Sequence, residues 1–137
     1  MTGKKRWWFL AVILVVLYLS GCARTISEVS LAQEFSLSPG QSARVRGENL
    51  TIKFIKVASD SRCPQGATCV WAGEASSQVE VTDASGTSFL TLTQPGLAEP
   101  PKTNSGNYEI TFNLLPYPQV GQEIKDEDYR LHLIISR

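Results

Sequence analysis

Tyr108, Ile110, Phe112 and Leu114 alternate strictly with Glu109, Thr111 and Asn113. Successive side chains of an extended strand point to opposite faces, so such a run buries one face against a core and leaves the other in water. In a helix the same residues would scatter around the circumference. The pattern recurs in Ala43 and Val45, in Leu50, Ile52 and Phe54, in Val79 and Val81, in Leu90 and Leu92, and in Tyr129, Leu131, Leu133 and Ile135. Turn residues separate the runs at Ser38-Pro39-Gly40-Gln41, Gly47-Glu48-Asn49, Asp83-Ala84-Ser85-Gly86 and Val120-Gly121-Gln122. Seven or eight short strands and no amphipathic helix of useful length predict an all-β fold, a small antiparallel β-sandwich or open barrel. After Phe54 the apolar set changes parity to Ile55 and Val57, which predicts a bulge near Phe54–Ile55 or burial of both faces there. Residues 94–106, with Pro95, Gly96, Pro100, Pro101, Asn104 and Gly106, have little periodicity and read as a loop of about a dozen residues.

The first part of the chain has a different composition. Lys4-Lys5-Arg6 precedes an unbroken apolar run from Trp7 to Leu19, and small residues follow at Ser20, Gly21, Cys22 and Ala23. A basic segment, a short apolar segment and a small-residue site form a secretory signal. Thirteen residues of helix rise about 20 Å against about 30 Å of hydrocarbon, short for a permanent span. Leu19-Ser20-Gly21-Cys22 resembles the lipobox of bacterial lipoproteins. The resemblance implies cleavage before Cys22 and diacylglyceryl attachment to its sulfur, leaving the chain on a membrane through two or three acyl chains. The expected organisation is a lipoprotein signal peptide at 1–21, a lipidated N-terminus and tether at 22–34, with an edge strand at Val29–Phe35 as the alternative within it, and a β-sandwich domain at 35–137. The expected location is the bacterial cell membrane or outer membrane, and Ala23 is not the aspartate that commonly retains lipoproteins at the inner one.

Cysteine usage fits that organisation. Of three cysteines, Cys22 taken by lipid leaves Cys63 and Cys69 as an even pair in an oxidising compartment. They enclose five residues, and Pro64 and Gly66 let the chain turn tightly between them. Closing such a loop stabilises by roughly 2–2.5 kcal/mol on the chain-entropy model. A redox pair is more typically Cys-x-x-Cys, a zinc site lacks four ligands, and a catalytic thiol would have only His132 as an imidazole base. The pair is expected to be a structural disulfide. Asp60, Ser61 and Arg62 precede it as turn residues: Asp60 can accept backbone N–H bonds, and Arg62 can lie across it or over an aromatic face. The alternative is that Arg62, Trp71 and Glu74 form a binding surface, with Arg62 meeting an anionic group and Trp71 at a rim. The favoured expectation for Trp71, the only tryptophan outside the signal, is core: about 200 Å² buried at about 25 cal/mol per Å² is worth around 5 kcal/mol. Gly73 is expected to permit a close backbone approach or a positive-φ turn.

Asp60-Ser61-Arg62-Cys63-Pro64, four residues, then Cys69-Val70-Trp71-Ala72-Gly73 resembles a motif of uncharacterised bacterial secreted proteins and lipoproteins. The resemblance implies a compact exported β-domain and carries no activity. Function is then read by class. The whole chain carries 13 basic and 13 acidic residues; without Lys4, Lys5 and Arg6, ten basic residues face thirteen acidic ones. A mildly acidic domain without a basic stripe lacks the footprint of a nucleic-acid binder. His132 sits between Leu131 and Leu133 on the face away from the apolar set, and no nucleophile–base pair follows from spacing. No catalytic residue, cofactor or metal is therefore assigned. The expected function is a non-catalytic, lipid-anchored envelope module that interacts with a protein or glycan partner. The alternatives are a small-ligand binder or protease-inhibitor-like lipoprotein, and a hydrolytic enzyme.

Overall fold

A computed structural model describes residues 26–96 and 99–137. The signal segment and Cys22 lie outside the described residues. Nine strands follow in order: β1 (Ile26–Val29), β2 (Glu34–Leu37), β3 (Ser42–Val45), β4 (Leu50–Asp60), β5 (Glu74–Asp83), β6 (Gly86–Pro95), β7 (Lys102–Ser105), β8 (Tyr108–Leu115) and β9 (Arg130–Ser136). They form a five-stranded sheet, β1-β3-β4-β5-β6, and a four-stranded sheet, β2-β9-β8-β7. The fold is thus an open β-sandwich.

The inner faces are the alternating apolar sets. Ala43, Val45, Leu50, Ile52, Phe54, Ala75, Val79, Val81 and Leu92 from one sheet meet Leu37, Ile110, Phe112, Leu114, Tyr129, Leu131, Leu133 and Ile135 from the other, all buried in one cluster. The parity change in β4 is a bulge: the pairing with β5 shifts between Phe54 and Lys56, and again between Val57 and Ser59. The first shift turns Val57 inward, opposite the buried Ser77, and the second sets Asp60 opposite the buried Ala75. At Asp83–Gly86 the β5–β6 hairpin closes with Asp83 Oδ1 accepting from Ser85 N at 2.8 Å.

The expected all-β sandwich is present, with nine strands among the described residues and one parallel pair, β1 with β3, beside antiparallel ones. Two expectations need correction. Residues 26–34 of the stretch 22–34 belong to the fold rather than to a tether, because β1 adds an edge strand and Ala32 N donates to the Ile135 carbonyl at 2.8 Å. The region 94–106 is not one long loop: β6 runs to Pro95 and β7 pairs with β8 from Lys102 to Ser105, leaving only 96–101 between them. β7 is Lys-Thr-Asn-Ser, an edge strand without an apolar residue, so it leaves no hydrophobic period to detect.

One end of the sandwich collects the irregular chain. The 61–73 connection between β4 and β5, the 96–101 crossing between the sheets and the 116–129 connection between β8 and β9 all meet there, where Asp60 pairs with Ala75, Glu74 with Pro95 and Leu115 with Arg130. The other end carries short turns.

Candidate functional site

Asp60 is the last residue of β4, and its carboxylate receives the whole fork of Arg62. Arg62 Nε donates to Oδ1 at 2.8 Å and Nη2 to Oδ2 at 2.6 Å, while the Arg62 backbone N–H reaches Oδ1 at 3.2 Å in an Asx-type turn. The remaining donors cross to the other sheet: Nη1 bonds the Leu114 carbonyl at 2.7 Å and Nη2 the Pro116 carbonyl at 3.1 Å. The guanidinium carbon stands 4.7 Å from the centroid of the Tyr117 ring. The Leu114 carbonyl is available because β7 pairs with β8 only as far as Thr111, and the Pro116 carbonyl because the ladder ends at Leu115. Tyr129, at the entry to β9, donates its hydroxyl to Asp60 Oδ2 at 3.1 Å. Burial, and then the Asp60 charge, push the Tyr129 hydroxyl up to about 12.

This arrangement decides between the two readings of Arg62. The side chain is sealed, 2% exposed, so it cannot meet an outside anion and is withdrawn from the candidate binding surface. It does what turn chemistry and an aromatic face suggested. Trp71 is corrected the opposite way: at 80% exposure, beside Val70 at 93%, it is not core. Trp71 lies beyond the β5 ladder, which starts at Glu74. Glu74 is exposed, and its carbonyl accepts from Ser61 N at 2.8 Å and Ser61 Oγ at 3.0 Å.

Between them the chain leaves the ladder as a closed tip. Cys63 and Cys69 form a disulfide with Cα atoms 6.0 Å apart, and Cys63 N donates to the Ala72 carbonyl at 2.8 Å across the neck. Two glycines make the neck this narrow. A Cβ on Gly73, which has φ +69°, would lie 1.8 Å from the Ser61 carbonyl oxygen, and one on Gly96 would lie 2.2 Å from the Ala72 oxygen. Gln65 ties the tip to the β8–β9 connection, donating from N to the Pro118 carbonyl at 2.8 Å and accepting from Val120 N at 3.3 Å.

Gln94 is a contributor that the sequence reading missed. It is buried, its Nε2 donates to Asn113 Oδ1 at 2.8 Å, and its Oε1 accepts from Leu114 N at 2.6 Å, joining β6 to β8 beneath the clamp. The signal was present: Gln94 continues the parity of Leu90 and Leu92, and an inward polar residue demands a partner.

The outer face of the four-stranded sheet holds an open groove of about 700 Å³, whose lining includes Tyr117, Ile124, Asp128, Arg130 and His132. His132 Nδ1 lies 2.8 Å from Glu34 Oε1, and Ser36 stands opposite His132 in the ladder. A histidine–carboxylate pair on an exposed sheet can exchange a proton with solvent; acyl transfer would also need donors aimed at a developing oxyanion. Among the described residues no group of three His, Cys, Asp or Glu side chains is placed to hold a metal ion.

Two outcomes test the clamp. Arg62→Met should cost about 3–5 kcal/mol in denaturant unfolding because Asp60 is left charged and buried, whereas Asp60→Leu with Arg62→Met should cost less than the single change. Equal losses would contradict the pair. The Tyr129 shift gives a pH test. A hydroxyl held protonated in the fold contributes stability that is complete below pH 10 and lost as pH rises through about 12, so unfolding titrations across that window should show a smaller alkaline loss for Tyr129→Phe than for the parent.

Comparison with known proteins finds no matching family model, no matching curated protein and no matching solved structure.

Proposed function

We propose that the chain is a lipid-anchored bacterial envelope protein whose β-sandwich serves as a non-catalytic interaction module. The observation that carries this reading is Leu19-Ser20-Gly21-Cys22, set directly after a basic start and thirteen apolar residues. An anchor of two or three acyl chains is stable where one is marginal, so a modified Cys22 is sufficient to fix the domain on a bilayer. The disulfide supports export, since such bonds persist in oxidising compartments, and pairing Cys63 with Cys69 leaves Cys22 as the one cysteine for lipid.

Contact chemistry favours the tip over the clamp. Val70, Trp71 and Glu74 face water on a stapled loop, while Arg62 is spent inside. An indole presented on a rigid support is a side chain suited to binding, because little ordering entropy is lost on contact.

Replacing Cys22 with Ala tests the anchor. Metabolic labelling with a radiolabelled fatty acid should mark the parent and not the variant, and the parent alone should sediment with membranes. Label that persists on the variant would refute the lipidation of Cys22.

A further inference from the structure

Two neighbouring segments at the disulfide end of the sandwich carry no charged side chain, and the charged run from Glu123 to Asp128 follows the second of them. Residues 63–73 and 114–122 contain no Asp, Glu, Lys or Arg, in a chain with 19% charged residues. They are hydrogen-bonded to each other through Gln65, Pro118 and Val120. Their exposed apolar side chains are Val70, Trp71 and Val120. Val120 belongs to the same surface as the disulfide loop: a Cβ on Gly66 would lie 3.7 Å from Val120 Cγ2. Two charge-free segments that together show a tryptophan and two valines to water mark a contact surface.

The route of the chain indicates what it contacts. β1 runs parallel to β3, with Ile26 opposite Ser42, and Ser42 lies opposite Lys53 of β4. Because β4 runs from Leu50 to Asp60 and then into the tip, Ile26 is the end of β1 that lies toward the tip. Only Ala23, Arg24 and Thr25 separate Ile26 from Cys22, and whatever their path, four residue steps span at most about 14 Å. Lys53 to Asp60 is seven residues of strand, roughly 20 Å, with the tip beyond. A lipid on Cys22 is therefore tethered to the end of β1 that lies toward the tip, and the tip extends further in that direction than the tether reaches.

We propose that the disulfide tip, led by Trp71, seats in the interfacial layer of the same bilayer that holds the Cys22 lipid; this rests on the lipoprotein reading above. Indole rings concentrate at the headgroup level, where an apolar ring and a wet N–H are both accommodated. The tip carries no charge that would have to shed its hydration, and Glu74 sits at its base, where β5 begins. The disulfide and the Asp60–Arg62 clamp fix the loop beforehand, so the contact does not have to order it. The lipid and the tip then form two points of attachment that set the orientation of the sandwich on the membrane.

The test uses the full chain, matured in a bacterium, labelled with fatty acid and reconstituted into phosphatidylcholine vesicles with or without brominated acyl chains. Processing leaves Trp71 as the sole tryptophan, and Trp71→Phe reports any residual emission. The expected result is labelled protein whose emission is blue-shifted, strongly quenched by the brominated lipid and weakly quenched by aqueous iodide. Labelled protein with emission untouched by bromine and open to iodide overturns the docking and leaves the anchor standing. Shielding from iodide that appears only on adding envelope extract also overturns it, in favour of a protein partner. Absence of label on Cys22 overturns the anchor, and the docking with it.

Discussion

A bidentate ion pair between residues two apart holds the open end of this sandwich together. Asp60 and Arg62 lie almost wholly out of water, with side chains 6% and 0% exposed. Desolvating a carboxylate and a guanidinium costs several kcal/mol for each ion, and only close geometry with the remaining donors satisfied offsets it. Both conditions are met. The guanidinium spends its donors on the carboxylate and on two carbonyls of the opposite sheet, and the carboxylate gains the Tyr129 hydroxyl. An apolar plug of similar volume would give comparable stability. What the pair adds is direction, since each of its bonds fixes where one segment lies: β4 through Asp60, β8 through Leu114 and Pro116, and β9 through Tyr129.

The tip follows from that fixed base. The β4–β5 connection leaves the ladder directly after the clamp. It becomes a narrow loop, closed by the disulfide and by two backbone approaches that only glycine allows. Trp71 is thereby displayed, at the loss of the burial energy an indole would gain inside. A rigid display of this kind suits a surface whose work is contact. The sealed Arg62 and the presented Trp71 are two consequences of one packing arrangement, one structural and one available for binding.

Much of the fold was legible because burial on one face writes a period of two. The runs at Leu50–Phe54, Tyr108–Leu114 and Tyr129–Ile135 are the centre of the core, and the parity change after Phe54 announced the bulge. Two of the edge strands, β1 and β7, were not legible. β1 has exposed residues at three of its four positions and β7 has no apolar residue, so neither carries a hydrophobic pattern. At the site, the local half of the clamp could be read: Asp60 as a turn acceptor and Arg62 over an aromatic ring. Its distant half could not, since Leu114 and Pro116 are more than fifty residues away and offer backbone carbonyls, which leave no mark in side-chain identity. Trp71 was misplaced for a related reason. A lone tryptophan near a disulfide is ordinarily core, whereas Trp71 lies in the connection ahead of β5, outside the ladder.

If the clamp sets the position of the tip, loosening the clamp should loosen the tip first. Amide hydrogen exchange on Arg62→Met is the most direct measurement. The account predicts that the N–H groups of Cys63, Gln65, Gly96 and Val120, whose acceptors hold the tip and its neighbours in place, lose more protection than those of Ile52, Val79 and Leu133 in the core ladders. Tip protection equal to that of the parent protein would contradict it.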